Sequence, residues 1–86
     1  MIRLFVRNLP YSATEEELVT LFSEFGSVAE WYIVRDRETD QSRGFGFIAM
    51  EDSAASAAMN TLNETMFQNR RIFVSLSKPK EGRGNG

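Results

Sequence analysis

Eighty-six residues with neither cysteine nor histidine make one small domain whose core has no disulfide or ordinary zinc site to support it, and they exclude thiol and imidazole catalysis. The formal net charge of -2 hides a division along the chain: the segments read below as helices, Thr14 to Phe25 and Glu51 to Glu64, hold seven acids and no Lys or Arg, whereas the remainder holds ten bases against five acids. If helices and strands occupy opposite layers, the molecule has an acidic back and a basic front.

From the N-terminus, IRLFVRNL alternates Ile2, Leu4 and Val6 with Arg3, Phe5 and Arg7, the period of a strand with one core face. Phe5 is the exception, since it shares a face with two arginines. NLPYSA carries turn chemistry in Asn8, Pro10 and Ser12. Thr14 followed by Glu17 is a capping box, and Glu15 to Glu17 suit the positive end of a helix dipole. Leu18, Leu21, Phe22 and Phe25 continue at helical spacing, and Gly26 is placed to end the helix in a left-handed conformation.

SVAEWYIVRD, rich in β-branched and aromatic residues, is the second strand. RETDQS is a polar loop leading into RGFGFIAM, Arg43 to Met50, the third strand. Alternation there puts Phe45 and Phe47 on one face and Ile48 and Met50 on the other, so both faces are apolar. Asp52 or Ser53 caps a second helix with the stripe Ala55, Ala58, Met59 and Leu62. After an irregular NETMFQN, RRIFVSLS alternates Ile72, Val74 and Leu76 with Arg71, Phe73 and Ser75 as the fourth strand.

The order β-α-β-β-α-β predicts an α+β, ferredoxin-like sandwich, with a four-stranded antiparallel sheet and two helices on one face. Ile2, Leu4, Val6, Ile48, Met50, Ile72 and Val74 then face the helices, and Phe5, Phe45, Phe47 and Phe73 belong to the bare side. Residues 1–77 are the domain; KPKEGRGNG, residues 78–86, is expected to be a flexible basic tail. The longest apolar runs, such as Trp31 to Val34, have four residues, and no secretory stretch follows Met1. The expectation is an intracellular, cytoplasmic monomer with no membrane partner.

Exposed rings beside arginines suit single-stranded nucleic acid, where bases stack on rings and guanidinium groups hold phosphates. RGFGFIAM is similar to the first signature of the RNA recognition motif family, a basic residue, Gly, aromatic, Gly, aromatic, Val, any residue, aromatic. LFVRNL, Leu4 to Leu9, resembles the family's second signature. The resemblance covers nearly the whole chain and extends to small single-domain glycine-rich proteins of cyanobacterial type. It implies that Phe5 and Phe47 each stack a base, that Phe45 lies against the sugars, and that Arg43 binds the linking phosphate. Base choice would come from the loop between the second and third strands, from Arg7 and Tyr32, and from the tail with Lys78 and Lys80. Phe73, at a position commonly polar in the family, extends the stacking surface, holds the tail or is an incidental surface ring. Arg70 and Arg71 are either phosphate contacts or ordinary solvated charges. The implied partner is single-stranded RNA, with single-stranded DNA as the alternative ligand, and no cofactor, metal or catalytic step is implied.

The chain departs from the family pattern at Met50, which alternation sends to the core, and at Asp40 and Asn69, which stand where glycine is common. The rival reading is a protein-interaction module that uses the acidic helical face. Domains of that kind lose the sheet rings and carry Arg-x-Phe before the last strand. Here the rings are intact, and the aligned triplet is Thr65, Met66, Phe67.

Overall fold

The computed structural model describes residues 1–77. Its elements run β1 (Ile2–Arg7), α1 (Glu15–Ser23), β2 (Val28–Arg35), β3 (Ser42–Met50), α2 (Asp52–Leu62), β4 (Thr65–Phe67) and β5 (Arg70–Leu76). The strands form one antiparallel sheet in the order β2-β3-β1-β5-β4. The sheet therefore has five strands rather than the expected four. The added β4 pairs with β5 through Thr65↔Ile72 and Phe67↔Arg70, joined by Gln68 and Asn69 at φ 52° and 71°. Two successive positive φ values are what a tight two-residue hairpin requires, because they match the strand twist. As a result β5, the strand of Phe73, lies inside the sheet beside β1, and β4 takes the edge.

The core forms where strand alternation meets the helical stripes. Leu4, Val6, Ile48, Met50, Ile72 and Val74 are all buried and pack with Leu18 and Phe22 of α1 and Ala55, Ala58 and Leu62 of α2. Ile2 is partly buried at the margin of this cluster. Met50 thus goes inward, as its place in the alternation requires. Leu9 and Ile33 complete the core.

The capping box of α1 is formed in both directions, Glu17 N–H donating to Thr14 Oγ1 at 3.1 Å and Thr14 N–H to Glu17 Oε1 at 3.0 Å. The helix stops earlier than its apolar spacing suggests. Phe25 N–H donates to the Phe22 carbonyl at 3.0 Å and Gly26 N–H to the Ser23 carbonyl at 3.2 Å, tightening the last turn. Gly26 has φ 151°, far from the left-handed helical region expected of it. Its lack of a side chain serves packing, because a Cβ there would lie 2.7 Å from the Ala54 Cβ of α2. At the start of α2 the N-cap is Glu51, which makes no side-chain capping bond, and Asp52 is already helical. Asp52 instead pairs with the N-terminal ammonium at 3.1 Å.

Arg35, at the end of β2, ties the sheet to the start of α1 through Glu15, with an N–O distance of 2.8 Å. That hydrogen bond holds the Glu15 carboxyl below the usual carboxylate range and raises the Arg35 guanidinium.

Gly46 marks a second close approach. An ideal Cβ at this position would sit 2.3 Å from the Tyr32 carbonyl oxygen and 3.1 Å from the Ile33 Cα. The residue is therefore glycine because the paired β2 backbone leaves no room for a side chain. Gly46→Ala is expected to destabilise the domain by about 1–3 kcal/mol, the range for overpacking a core. Urea denaturation checks this, and an unchanged midpoint would mean that β2 yields without cost.

Candidate nucleic-acid interface

The helices cover one face of the sheet, and the other carries three rows of side chains set by the strand register. The central row is Tyr32, Phe47, Phe5 and Ser75, each opposite the next across β2, β3, β1 and β5. Below it lie Phe45, Arg7 and Phe73, again directly opposed. Above it lie Glu30, Ala49 and Arg3. The side chains in each row point out because their strand neighbours, such as Leu4, Val6 and Ile48, are the residues that fill the core.

Phe5 and Phe47 are near-parallel, with ring centroids 5.1 Å apart and planes inclined by 28°. Phe45 meets Phe5 edge-on at 5.6 Å and 73°. All three rings are half-buried, so each retains an exposed surface. Tyr32 is 59 % exposed at the β2 side of the row. Arg43 is exposed at the start of β3, two residues before Phe45.

The lower row is ordered around Phe73. The Arg7 guanidinium carbon lies 5.5 Å from the centre of the Phe73 ring, within cation–π range. This is a use of Phe73 that the sequence did not suggest: the ring is a seat for Arg7. Lys78 and Lys80 lie outside the described residues.

Arg70 is fixed nearby. It donates to the Asn8 side-chain oxygen at 2.6 Å and to the Asn8 carbonyl at 3.3 Å, while Asn8 Nδ2 donates to the Arg71 carbonyl at 2.6 Å. Asn8 can serve both because it turns the chain at φ 64°, a conformation that asparagine tolerates. Arg7, Arg43 and Arg70 together line a groove beside Phe45, with no acidic side chain in its wall. Tyr11, 76 % exposed, borders the same groove. Its ring lies over Gly44, where an added Cβ would be 3.3 Å from Tyr11 Cε1 and the backbone φ is 87°. Sequence reasoning passed over Tyr11; an aromatic residue just after a proline in a polar turn was the available signal.

The loop between β2 and β3 is built by Asp36, whose Oδ1 accepts from Thr39 N–H at 3.1 Å and Glu38 N–H at 2.8 Å. These bonds favour the charged form and hold the Asp36 carboxyl below the usual carboxylate range. Asp40 closes the loop at φ 61° in the place where glycine is common, its N–H donating to the Asp36 carbonyl at 2.9 Å. Trp31 lies opposite core-facing Ile48, on the helix side of β2, and is 50 % exposed. It is apart from the rows of the open face.

Fold and exposed rings together define a sheet-surface binding domain. The family model described as RNA recognition motif matches residues 4–72, and the chain belongs to that family. It is 43 % identical over 82 residues to RbpE of Nostoc sp., a protein named for RNA binding, covering 94 % of this chain and 83 % of that one. It is 39 % identical to a glycine-rich RNA-binding protein 1 of Mycosarcoma maydis, spanning 98 % of this chain and 50 % of the relative. Among solved structures, RNA binding protein PG1 superposes with a TM-score of 0.87 at 36 % identity, covering 90 % of this chain and 94 % of the other. The Sxl-lethal protein in a protein/RNA complex does so with a TM-score of 0.85 at 32 % identity, covering 91 % and 47 %.

The pairing of Arg7 with Phe73 has a direct check. Phe73→Leu keeps apolar bulk but removes the ring, and is expected to cost roughly 0.5–1 kcal/mol of stability. In an Arg7→Ala background the same change should cost nearly nothing, as measured by a double-mutant cycle in urea. Additive effects would mean that the guanidinium and the ring do not interact.

Proposed function

We propose that this chain binds single-stranded RNA across the open face of its sheet, as a binding domain with no catalytic step. The observation that carries the proposal is the near-parallel pair Phe5 and Phe47 at 5.1 Å, half-buried at the centre of a face whose surrounding cations include Arg7, Arg43 and Arg70. Rings left in water are costly unless something covers them, and nucleobases do so whatever their identity. Phe5 and Phe47 each stack a base, Phe45 lies against the sugars between them, and Arg43 takes a phosphate. Tyr32 extends the row on the β2 side. Arg7, seated on Phe73, and Arg70, held by Asn8, guide the backbone at the β5 side.

Family membership and the neighbour solved with RNA support this assignment. Residues 1–77 are the binding domain in this reading. Ser77 N–H donates to the Arg3 carbonyl at 2.8 Å, so the last described residue lies beside Arg3, and Lys78 and Lys80 contribute charge to the same ligand.

Phe47→Ala and Phe5→Ala are each expected to weaken binding of single-stranded RNA by roughly 1–3 kcal/mol, the worth of one base stacked on one ring. Both variants should still unfold cooperatively. Loss of the fold with unchanged affinity in the folded fraction would return the rings to a purely structural role.

Arg43→Ala should weaken binding to all sequences alike, because a phosphate contact carries no base identity. The slope of log affinity against log salt should fall by about 0.7, the share of a single phosphate on a single strand. An unchanged slope would remove Arg43 from the set of phosphate ligands.

A further inference from the structure

The upper row of the open face has chemistry unlike the rest. Glu30 is the only acidic residue in any of the five strands, and register places it on the open face, opposite Ala49. Arg3 stands on the other side of Ala49. The two charged side chains meet over it, Arg3 Nη2 donating to Glu30 Oε1 at 2.8 Å. Ala49 is left only 5 % exposed. An open groove of about 460 Å³ lies over this row, and its walls include Arg3, Glu30, Tyr32, Phe47 and Ala49.

A carboxylate on a phosphate-binding face repels the ligand, so a reason for its presence is needed. Stability is a weak one. The pair is exposed, Arg3 by 55 % and Glu30 by 65 %, and such pairs contribute little. For the same reason it opens at little cost, leaving one acceptor group and one donor group free at the edge of the groove. Alternate residues along a strand are about 7 Å apart, so the rim of a base stacked on Phe47 can reach this row.

The four bases differ in what they present to a carboxylate beside a guanidinium. Guanine alone carries two adjacent N–H donors on its Watson–Crick edge, at N1 and N2, next to an acceptor at O6. Adenine and cytosine offer one amino group beside a ring acceptor, and uracil offers a single N–H between two acceptors. Only guanine can engage both carboxylate oxygens while giving O6 to the arginine.

We propose that Glu30 and Arg3 form a guanine-selective subsite next to Phe47, with Glu30 accepting from N1–H and N2–H and Arg3 donating to O6. The proposal rests on the RNA-binding reading above and adds to it a base identity at one position. The small side chain of Ala49 is part of the design, since a larger residue would fill the space that the base edge needs.

The test uses the full chain. Selection from a random pool of single-stranded RNA should return an invariant guanine at one position. Replacing that guanine with inosine, which lacks the N2 amino group, should weaken binding roughly tenfold, the scale of a good bidentate base contact. In Glu30→Gln the preference for guanine over inosine should vanish, with affinity for the inosine RNA equal to or tighter than that of the unmodified chain. Selection without a fixed guanine would overturn the subsite while leaving RNA binding in place. So would a Glu30→Gln variant that changes guanine and inosine RNAs by the same factor, which would make Glu30 a counter-charge only. Failure to bind any single-stranded RNA at low salt would overturn the subsite and the underlying reading together.

Discussion

Across β1 and β3, Phe5 lies directly opposite Phe47, and the same pairing sets Leu4 opposite Ile48 and Val6 opposite Gly46. Core and binding surface are thus fixed by one register. A slip of either strand by one residue would turn the rings toward the helices and expose Leu4, Val6 and Ile48. Burial of the inward set keeps the outward set in place. Gly46 tightens the arrangement further, since the β2 backbone passes so near that no side chain fits there. The open face can therefore carry half-exposed rings, because the residues between them are the ones that fill the core.

Charge follows the same two-layer logic. The seven acids of the segments first read as helices leave a cationic excess on strands, loops and tail. The net charge of -2 therefore says little about the surface that a ligand meets. Two ion pairs tie β2 to other elements. Arg35 with Glu15 joins β2 to α1, and Arg3 with Glu30 spans β1 to β2 over Ala49. The first anchors a helix, whereas the second lies on the face proposed for RNA. On that face the cations are unequally placed: Arg7 and Arg70 are braced by Phe73 and Asn8, and Arg3 is paired with an acid. The surface has a cationic end and an end with both donor and acceptor, two chemically different environments.

Much of this was legible in the sequence because alternation and helix caps are local signals. The faces of β1, β3 and β5 follow from period two alone, and the Thr14–Glu17 box from spacing. What escaped depended on contacts between distant segments. β4 has three residues, too few for a pattern, and its turn is Gln68–Asn69, without the glycine that marks such hairpins. The reason for Gly46 lies in the path of β2, and that for Gly26 in the position of Ala54 on α2. Arg7 over Phe73 depends on the register that sets the two residues opposite each other across β1 and β5. Glu30 is conspicuous as a lone acid among strands only once their bounds are known, and its link to Arg3 depends on both strands pairing with Ala49 of β3.

In the proposed complex, RNA lies on the sheet face and makes its contacts with side chains that the fold holds out of the core. Titration with a short single-stranded RNA, followed by nuclear magnetic resonance, tests this most directly. The largest changes are expected at the ring protons of Phe5, Phe45 and Phe47 and the amides of β1 and β3, with α1 and α2 nearly unmoved. Changes concentrated on the helices, with the three rings unaffected, would contradict it.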